Sequence, residues 1–291
     1  MISADLLKKV RAIEIKTRLL VSSTFTGEYH SVFRGQGMRF AEVRDYHPGD
    51  DVRFIDWNVT AKMGSPFVKV FEEERELTVM LAVDVSASHR FGTAAQTKAD
   101  LITELAAVLG FSAVQNKDCV GLCLFSDRIE AYVPPKKGKD HMLRLLRDLM
   151  SLRPKSKKTS LKIGLTQILK RLRKKAIVFV ISDFLDTGYE TVLKQLSVKH
   201  DLIPLVIQDG LELAFPNVGP LRLQDAETGQ TQVVDTALVS VRDAFAKAAE
   251  QRAAELDYFF KQWSIKPIRI TTGESYVGAL NRYFRQRMKV L

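Results

Sequence analysis

Apolar side chains recur at Leu6, Leu7, Val10, Ile13, Ile15, Leu19 and Leu20. Their three- and four-residue spacing lays one stripe along a helix, so the pattern predicts an amphipathic helix from about Ser3 to Val21, with Ser3 as its cap. From Thr24 to about Glu74 the rhythm breaks into short strand-like pieces separated by Gly27, Gly35, Gly37, Pro48, Gly49, Gly64 and Pro66. Residues of these two types interrupt regular structure, which predicts an irregular, strand-containing N-terminal region. Within it, the segment from Gly49 to Trp57 reads as a tight turn entering a short strand, with Val52, Phe54 and Asp56 opposed to Arg53, Ile55 and Trp57.

After Glu76 compact apolar runs alternate with helical stretches. Leu77 to Asp84 is a continuous apolar run and predicts a buried strand; Thr97 to Gln115 follows as a helix carrying Leu101, Leu105, Val108, Leu109 and Ala113. Cys119 to Phe125 and Ile129 to Val133 predict two strands joined as a hairpin around Ser126, Asp127 and Arg128. Helices are expected over His141 to Leu152 and Leu161 to Leu172, and Ala176 to Asp183 predicts a central strand. Beyond it come a short helix (Tyr189 to Ser197), a strand (Asp201 to Ile207) and a rim hairpin (Leu221 to Thr236) turning at Thr228 and Gly229. A long helix (Val239 to Trp263), a last strand (Ile268 to Ile270) and a closing helix (Tyr276 to Met288) complete the chain. Strands alternating with helices imply an α/β fold: a doubly wound, mostly parallel sheet of Rossmann-like kind. The expected division is residues 1–75 for the N-terminal helix and irregular region, and 76–291 for the α/β domain.

Composition changes this picture little. A chain of 291 residues with 46% hydrophobic content can bury a core without covalent staples. Its two cysteines, Cys119 and Cys123, share one strand. Residues four apart on a strand are separated by roughly 13 Å, so a disulfide between them is excluded and buried thiols of a reducing compartment are expected. No further cysteine is present to complete a thiolate metal site. The first residues mix charge into their apolar positions, unlike a secretory signal, and no window supplies the roughly 20 apolar residues of a membrane span; a cytoplasmic location is the expectation. The net charge of +10 includes clusters at Lys136, Lys137 and Lys139, at Lys155, Lys157 and Lys158, and from Lys170 to Lys175. Such clusters can follow a phosphate backbone, which keeps nucleic-acid binding as the alternative function. The last cluster equally suits a helix C-terminus, where positive charge complements the dipole, and no aromatics interleave with any of the three.

In an open α/β sheet, ligands sit beyond the carboxyl ends of the strands. The first strand leads into Asp84, Ser86 and Ser88, and the central one into Ser182, Asp183 and Phe184. Between them, Thr159 and Ser160 open a helix. Asp84, Ser86 and Ser88 reproduce the DxSxS signature of the metal-ion-dependent adhesion site, so this half of the chain resembles von Willebrand factor A domains. That resemblance implies that Ser86, Ser88 and Thr159 meet a Mg2+ or Mn2+ ion through hydroxyl oxygens, while Asp84 and Asp183 hold waters of its first shell. The set suits a hard cation, which takes oxygen ligands in near-octahedral geometry and keeps some waters. Neutral hydroxyls leave the ion under-neutralised, and a carboxylate from another protein can complete its shell.

A second likeness covers nearly the whole chain. Phe33 to Gly37, Phe40 to Trp57, Val68 to Leu77 and Ser182 to Phe184 resemble the bacterial domain of unknown function 58 family. Members of that family are similar in carrying an A-type domain after this signature, and their genes tend to sit beside that of a MoxR-type AAA+ ATPase. The resemblance implies a metal-dependent adaptor that works with such an ATPase in the maturation or assembly of other proteins. His89 departs from the family's usual methionine, a change expected to leave coordination intact. Arg44 or Arg53, close to Asp50, Asp51 and Asp56, suggests an internal ion-pair network that pins the N-terminal region onto the A domain, rather than a docking surface. None of the five histidines forms an evident nucleophile–base pair, so a non-enzymatic role is expected. A Mg2+-dependent phosphoesterase using Asp84 and Asp183 is the remaining alternative, against which the hydroxyl-rich loop argues.

Overall fold

The structure, a computed structural model, describes residues 4–20, 38–73, 76–90 and 96–288. The chain divides into two compact units, Phe33–Leu77 and the remainder, Met1–Val32 together with Thr78–Leu291. Helix α1 (Ala4–Leu20) opens the larger unit; its proposed cap Ser3 lies outside the described residues, as does the signature stretch Phe33 to Gly37.

The smaller unit pairs β1 (Met38–Asp45) with β2 (Phe67–Glu73) as an antiparallel ribbon, with helix α2 (Trp57–Met63) between them. The expected strand after Gly49 is instead a short 3-10 turn, Val52–Phe54, running into α2. Two aspartates explain the difference. Asp51 accepts from the Arg53 amide at 3.0 Å, and Asp56 accepts from the Asn58 and Val59 amides at 3.0 and 3.2 Å. Such side-chain acceptors cap the free amides of a helical turn and compete with a strand ladder. Gly64 then closes α2 in the left-handed region at φ 77°, where a Cβ is disfavoured. Ion pairs of the expected residues form inside this unit: Arg44 grips Asp50 through two hydrogen bonds of 2.7 and 2.8 Å, and Arg53 pairs with Asp51.

The larger unit is built on a six-stranded sheet. In chain order its strands are β3 (Thr78–Asp84), β4 (Cys119–Phe125), β5 (Ile129–Lys136), β6 (Ile177–Ser182), β7 (Asp201–Gln208) and β10 (Ile268–Thr271). Their order across the sheet is β10-β7-β6-β3-β4-β5, and every pairing is parallel except that of the edge strand β5 with β4. Strands β3 and β6 occupy the middle, and Val79 to Val83 and Val178 to Ile181 are wholly buried. Continuous apolar runs are what a strand covered on both faces requires. The rim hairpin forms from β8 (Pro220–Gln224) and β9 (Thr231–Asp235).

The helices are α3 (Lys98–Gln115), α4 (Lys139–Ser151), α5 (Leu161–Arg171), α6 (Glu190–Lys199), α7 (Gly210–Leu213), α8 (Val239–Gln262) and α9 (Tyr276–Met288). Alternation along β3 splits the core: Met80 and Ala82 face Leu161, Leu165 and Ile168 of α5 and Leu193 and Leu196 of α6. Helix α3 packs on β3 and β4, and α1 lies against α3 and α4. Thr97 caps α3 in a reciprocal box with Asp100, which fixes where that helix begins. This is a mixed α/β architecture with a largely parallel central sheet flanked by helices. Both cysteines sit on β4 and neither is in a disulfide; burial pushes the Cys123 thiol up to about 12. No helix among the described residues is long and apolar enough to cross a membrane.

Candidate metal centre

Parallel strands end on the same side of the sheet, so the exits of β3 and β6 meet as neighbours. Just past β3 the chain is anchored to β4, where the Val85 amide donates to the Phe125 carbonyl at 2.8 Å. The Ser86 amide then turns back onto Asp84 Oδ1 at 2.9 Å, and the Ser86 and Ser88 hydroxyl oxygens lie 3.1 Å apart. A 3-10 turn, Ala87–Arg90, carries His89 over the same spot. From β6, the Ser182 hydroxyl donates to Asp84 Oδ2 at 2.8 Å and accepts from the Phe184 amide at 3.2 Å. Asp183 follows and accepts from the Leu185 amide at 3.3 Å.

Phe184 adopts φ 57°, a left-handed conformation costing a non-glycine residue about 1–2 kcal/mol. Its ring is locked by edge-on contacts with Tyr189 and Phe260 at 5.9 and 5.7 Å. The backbone beside Asp183 is therefore held in an uncommon shape by packing, as happens where a neighbouring side chain must be aimed.

Asp84, Ser86, Ser88 and Asp183 are thus brought to one place, and one ligand atom each from Asp84, His89 and Asp183 lie within 4.8 Å of one another. The fifth predicted residue is placed differently. The loop before α5 reaches the site through the Ala87 amide, which donates to the Lys157 carbonyl at 3.1 Å, but the Thr159 hydroxyl donates to Glu227 on the rim hairpin at 2.7 Å.

Three further residues belong to the cluster and were not singled out by sequence reasoning for this role. His89 is 3% exposed; its Nε2 lies 3.3 Å from Asp84 Oδ2, yet neither ring nitrogen has a hydrogen-bond partner. Lys98, at the first position of α3, is fully buried, with Nζ 3.4 Å from Asp183 Oδ2 and 2.5 Å from Glu212 Oε1. Glu212 is delivered by α7, where Asp209 and Glu212 form a reciprocal capping box after the exit of β7. The available signals were the position of His89 directly after Ser88 and a lysine in the first turn of a helix, where a cation is disfavoured by the dipole.

The electrostatics follow from this placement. Burial pushes the Asp84 carboxyl upward, but the His89 charge and the hydrogen bonds from Ser86 outweigh it and leave the carboxyl below its ordinary range. Burial likewise pushes His89 downward, and the carboxylates of Asp84 and Asp183 overcome it to raise the imidazole. Three carboxylates, Asp84, Asp183 and Glu212, stand against two cationic partners: the Lys98 ammonium meets Asp183 and Glu212, and the His89 imidazole meets Asp84. Buried charge must be paired or coordinate a metal, and the one negative charge left over makes a place for a cation. A cavity of about 710 Å³ opens beside the cluster, bounded by Asp84, Ser86 and His89 on one side and by Ile13 and Lys16 of α1 on another.

The basic clusters show no comparable convergence. Lys170 and Arg171 occupy the last turn of α5, Arg171 lies 4.5 Å over the Tyr132 ring, and Lys139 pairs with Glu14.

Residues 42–255 match the family described as "Protein of unknown function DUF58". Uncharacterized proteins of Mycobacterium tuberculosis and Mycobacterium bovis are 28% identical over 285 residues, covering 96% of this chain and 89% of theirs. Among solved structures, the chain is similar to an aerotolerance-related membrane protein from Bacteroides fragilis at 15% identity and a TM-score of 0.48, over 74% of this chain and all of that one. It is also similar to the conserved hypothetical protein BatB from Bacteroides thetaiotaomicron at 13% identity and a TM-score of 0.47, over 73% of this chain and 99% of that one.

Proposed function

The chain belongs to the DUF58 family, and we propose that it acts there as a metal-dependent protein–protein interaction module of the von Willebrand factor A type, in the cytoplasm. The observation that carries this reading is the meeting of Asp84, Ser86, Ser88 and Asp183 at two adjacent parallel strand exits. The donor set fits a divalent ion: two serine hydroxyls, two nearly buried carboxylates, and an uncompensated negative charge. Ser86 and Ser88 would hold Mg2+ or Mn2+ directly, with Asp84 and Asp183 anchoring its waters. Thr159 would join by giving up its hydrogen bond to Glu227. The ion supplies a positive charge that hydroxyls do not neutralise, and a partner's Asp or Glu would occupy the remaining position.

The family resemblance suggests the partner, a MoxR-type AAA+ ATPase or its client. The task on this reading is adhesion during maturation or assembly of other proteins, not catalysis. The test is capture of the purified ATPase by the immobilised chain with Mg2+, with Mn2+ and with chelator. Capture is expected with metal, and Asp84→Ala is expected to abolish it together with metal binding. Capture that survives both chelation and Asp84→Ala at wild-type affinity would refute the metal-grip mechanism.

A further inference from the structure

A site built only of hydroxyls and carboxylates offers oxygen alone, and oxygen shells suit Mg2+ as well as Mn2+. The site on β3 and β6 is not of that kind. His89 brings an imidazole into it from the 3-10 turn that follows Ser86, and that ring is 3% exposed with both nitrogens lacking hydrogen-bond partners. Its charged neighbour is the Asp84 carboxylate, whose 3.3 Å approach lacks hydrogen-bond geometry, so the ring nitrogens are left open to a ligand.

The spacing points to the same ligand. His89 Nε2 and Asp84 Oδ2 stand 3.3 Å apart without hydrogen-bond geometry, and a carboxylate oxygen of Asp183 completes a set within 4.8 Å. Two atoms bonded to one ion at roughly 2.0–2.2 Å are separated by about 3.0 Å when cis-octahedral and about 3.4 Å when tetrahedral. The Asp84–His89 contact falls in that interval. Lys98 does not pre-empt the place: it approaches Asp183 Oδ2 while also bonded to Glu212, and each carboxylate oxygen has a second lone pair.

We infer that His89 is a metal ligand and that the centre, with Asp84 and Asp183, is a mixed nitrogen–oxygen site selecting a first-row transition cation such as Mn2+ over Mg2+. This rests on the metal-binding reading above, makes Asp84 and Asp183 direct ligands in place of holders of water, and adds the class of ion. The physical basis is that imidazole nitrogen binds transition cations, in the order rising from Mn2+, while Mg2+ favours oxygen.

The test uses the full chain after chelation, titrated with Mn2+ alone and with Mg2+ in competition, with bound Mn2+ observed by pulsed electron paramagnetic resonance. Directly coordinated imidazole produces nitrogen-14 modulation of the Mn2+ echo. That modulation is expected, together with Mn2+ binding at least about ten-fold tighter than Mg2+, as the nitrogen donor requires. His89→Asn, which substitutes an amide oxygen, is expected to remove the modulation and to bring the two affinities within about three-fold, while Mn2+ still binds. If His89→Asn fails to fold, the wild-type echo decides alone. Mn2+ bound without nitrogen modulation, or held no tighter than Mg2+, overturns the role of His89 and leaves the oxygen-only site standing. Absence of binding by either ion overturns both readings and leaves an Asp84–His89 ion pair.

Discussion

Lys98→Met tests the electrostatic account of the centre most directly. The ammonium is fully buried and lies against Asp183, itself 6% exposed, and against the more exposed Glu212. Methionine keeps the length of the side chain and removes the charge, so packing is conserved while Asp183 loses its cation. Removing one partner of a buried pair costs about 3–5 kcal/mol, because the remaining charge stays desolvated. At roughly 2–4 °C per kcal/mol for a domain of this size, the melting temperature of the metal-free protein should fall by about 6–20 °C. The loss should be conditional: a divalent cation takes over the role of the ammonium, so the rise in melting temperature on adding Mn2+ should be larger in Lys98→Met than in wild type. Adding Asp183→Asn should recover part of the metal-free stability, since deleting both members of a buried pair is often neutral. Differential scanning calorimetry with and without Mn2+ reads all three quantities. A metal-free Lys98→Met that melts within about 2 °C of wild type would show that Lys98 does not carry this charge balance.

Packing beside the centre is testable at two glycines. A Cβ at Gly164 would lie 2.4 to 2.7 Å from the Phe125 ring, whose backbone carbonyl anchors the loop after β3. Gly164→Ala should therefore destabilise by about 1–3 kcal/mol despite its better helix propensity, whereas Gly110→Ala meets the end of the flexible Met142 side chain and should cost less by urea denaturation. In the smaller unit, the Arg44 hydrogen bonds and the His47 amide hold the Asp50 carboxyl at about 2, below its unfolded value of about 3.9. A depressed folded pKa gives stability that is present above the unfolded value and lost as pH falls through the folded one. The difference between wild type and Asp50→Asn, followed by Trp57 fluorescence, should therefore close between about pH 4 and pH 2. Cys123, buried and with its thiol pushed up to about 12, should resist iodoacetamide in the native protein at pH 8 and react only on unfolding, as read by peptide mass.

Much of the α/β unit was legible because its strands are buried on both faces. Val79 to Val83 and Val178 to Ile181 have no polar positions to alternate with, and so short an apolar run suits a covered strand better than a helix. The loop of Asp84, Ser86 and Ser88 was legible because its residues are consecutive on the chain. Residues 49–57 were misread since alternation suggested a strand, while the deciding interactions were the local carboxylate caps of Asp51 and Asp56. Lys98 and Glu212 could not be read as partners: 114 residues separate them, and only the order of strands across the sheet sets α3 and α7 at one edge.

That edge is more than the meeting of two strands. From β10, the Thr272 hydroxyl donates to Asp209 at 2.6 Å; Asp209, leaving β7, caps α7 and so positions Glu212. Glu212 holds Lys98, Lys98 touches Asp183 beyond β6, and the Ser182 hydroxyl ties that exit to Asp84 at the end of β3. Four adjacent strand ends are joined by one polar chain, most of it buried. In a low-dielectric setting each member is held by the next, and removing one leaves the others unsatisfied. A cation entering at Asp84 and Asp183 would therefore act on Lys98 and Glu212 as well as on its own ligands. One route from the ion to α7 then runs through Lys98 and Glu212, so the position of that helix should respond to occupancy of the centre.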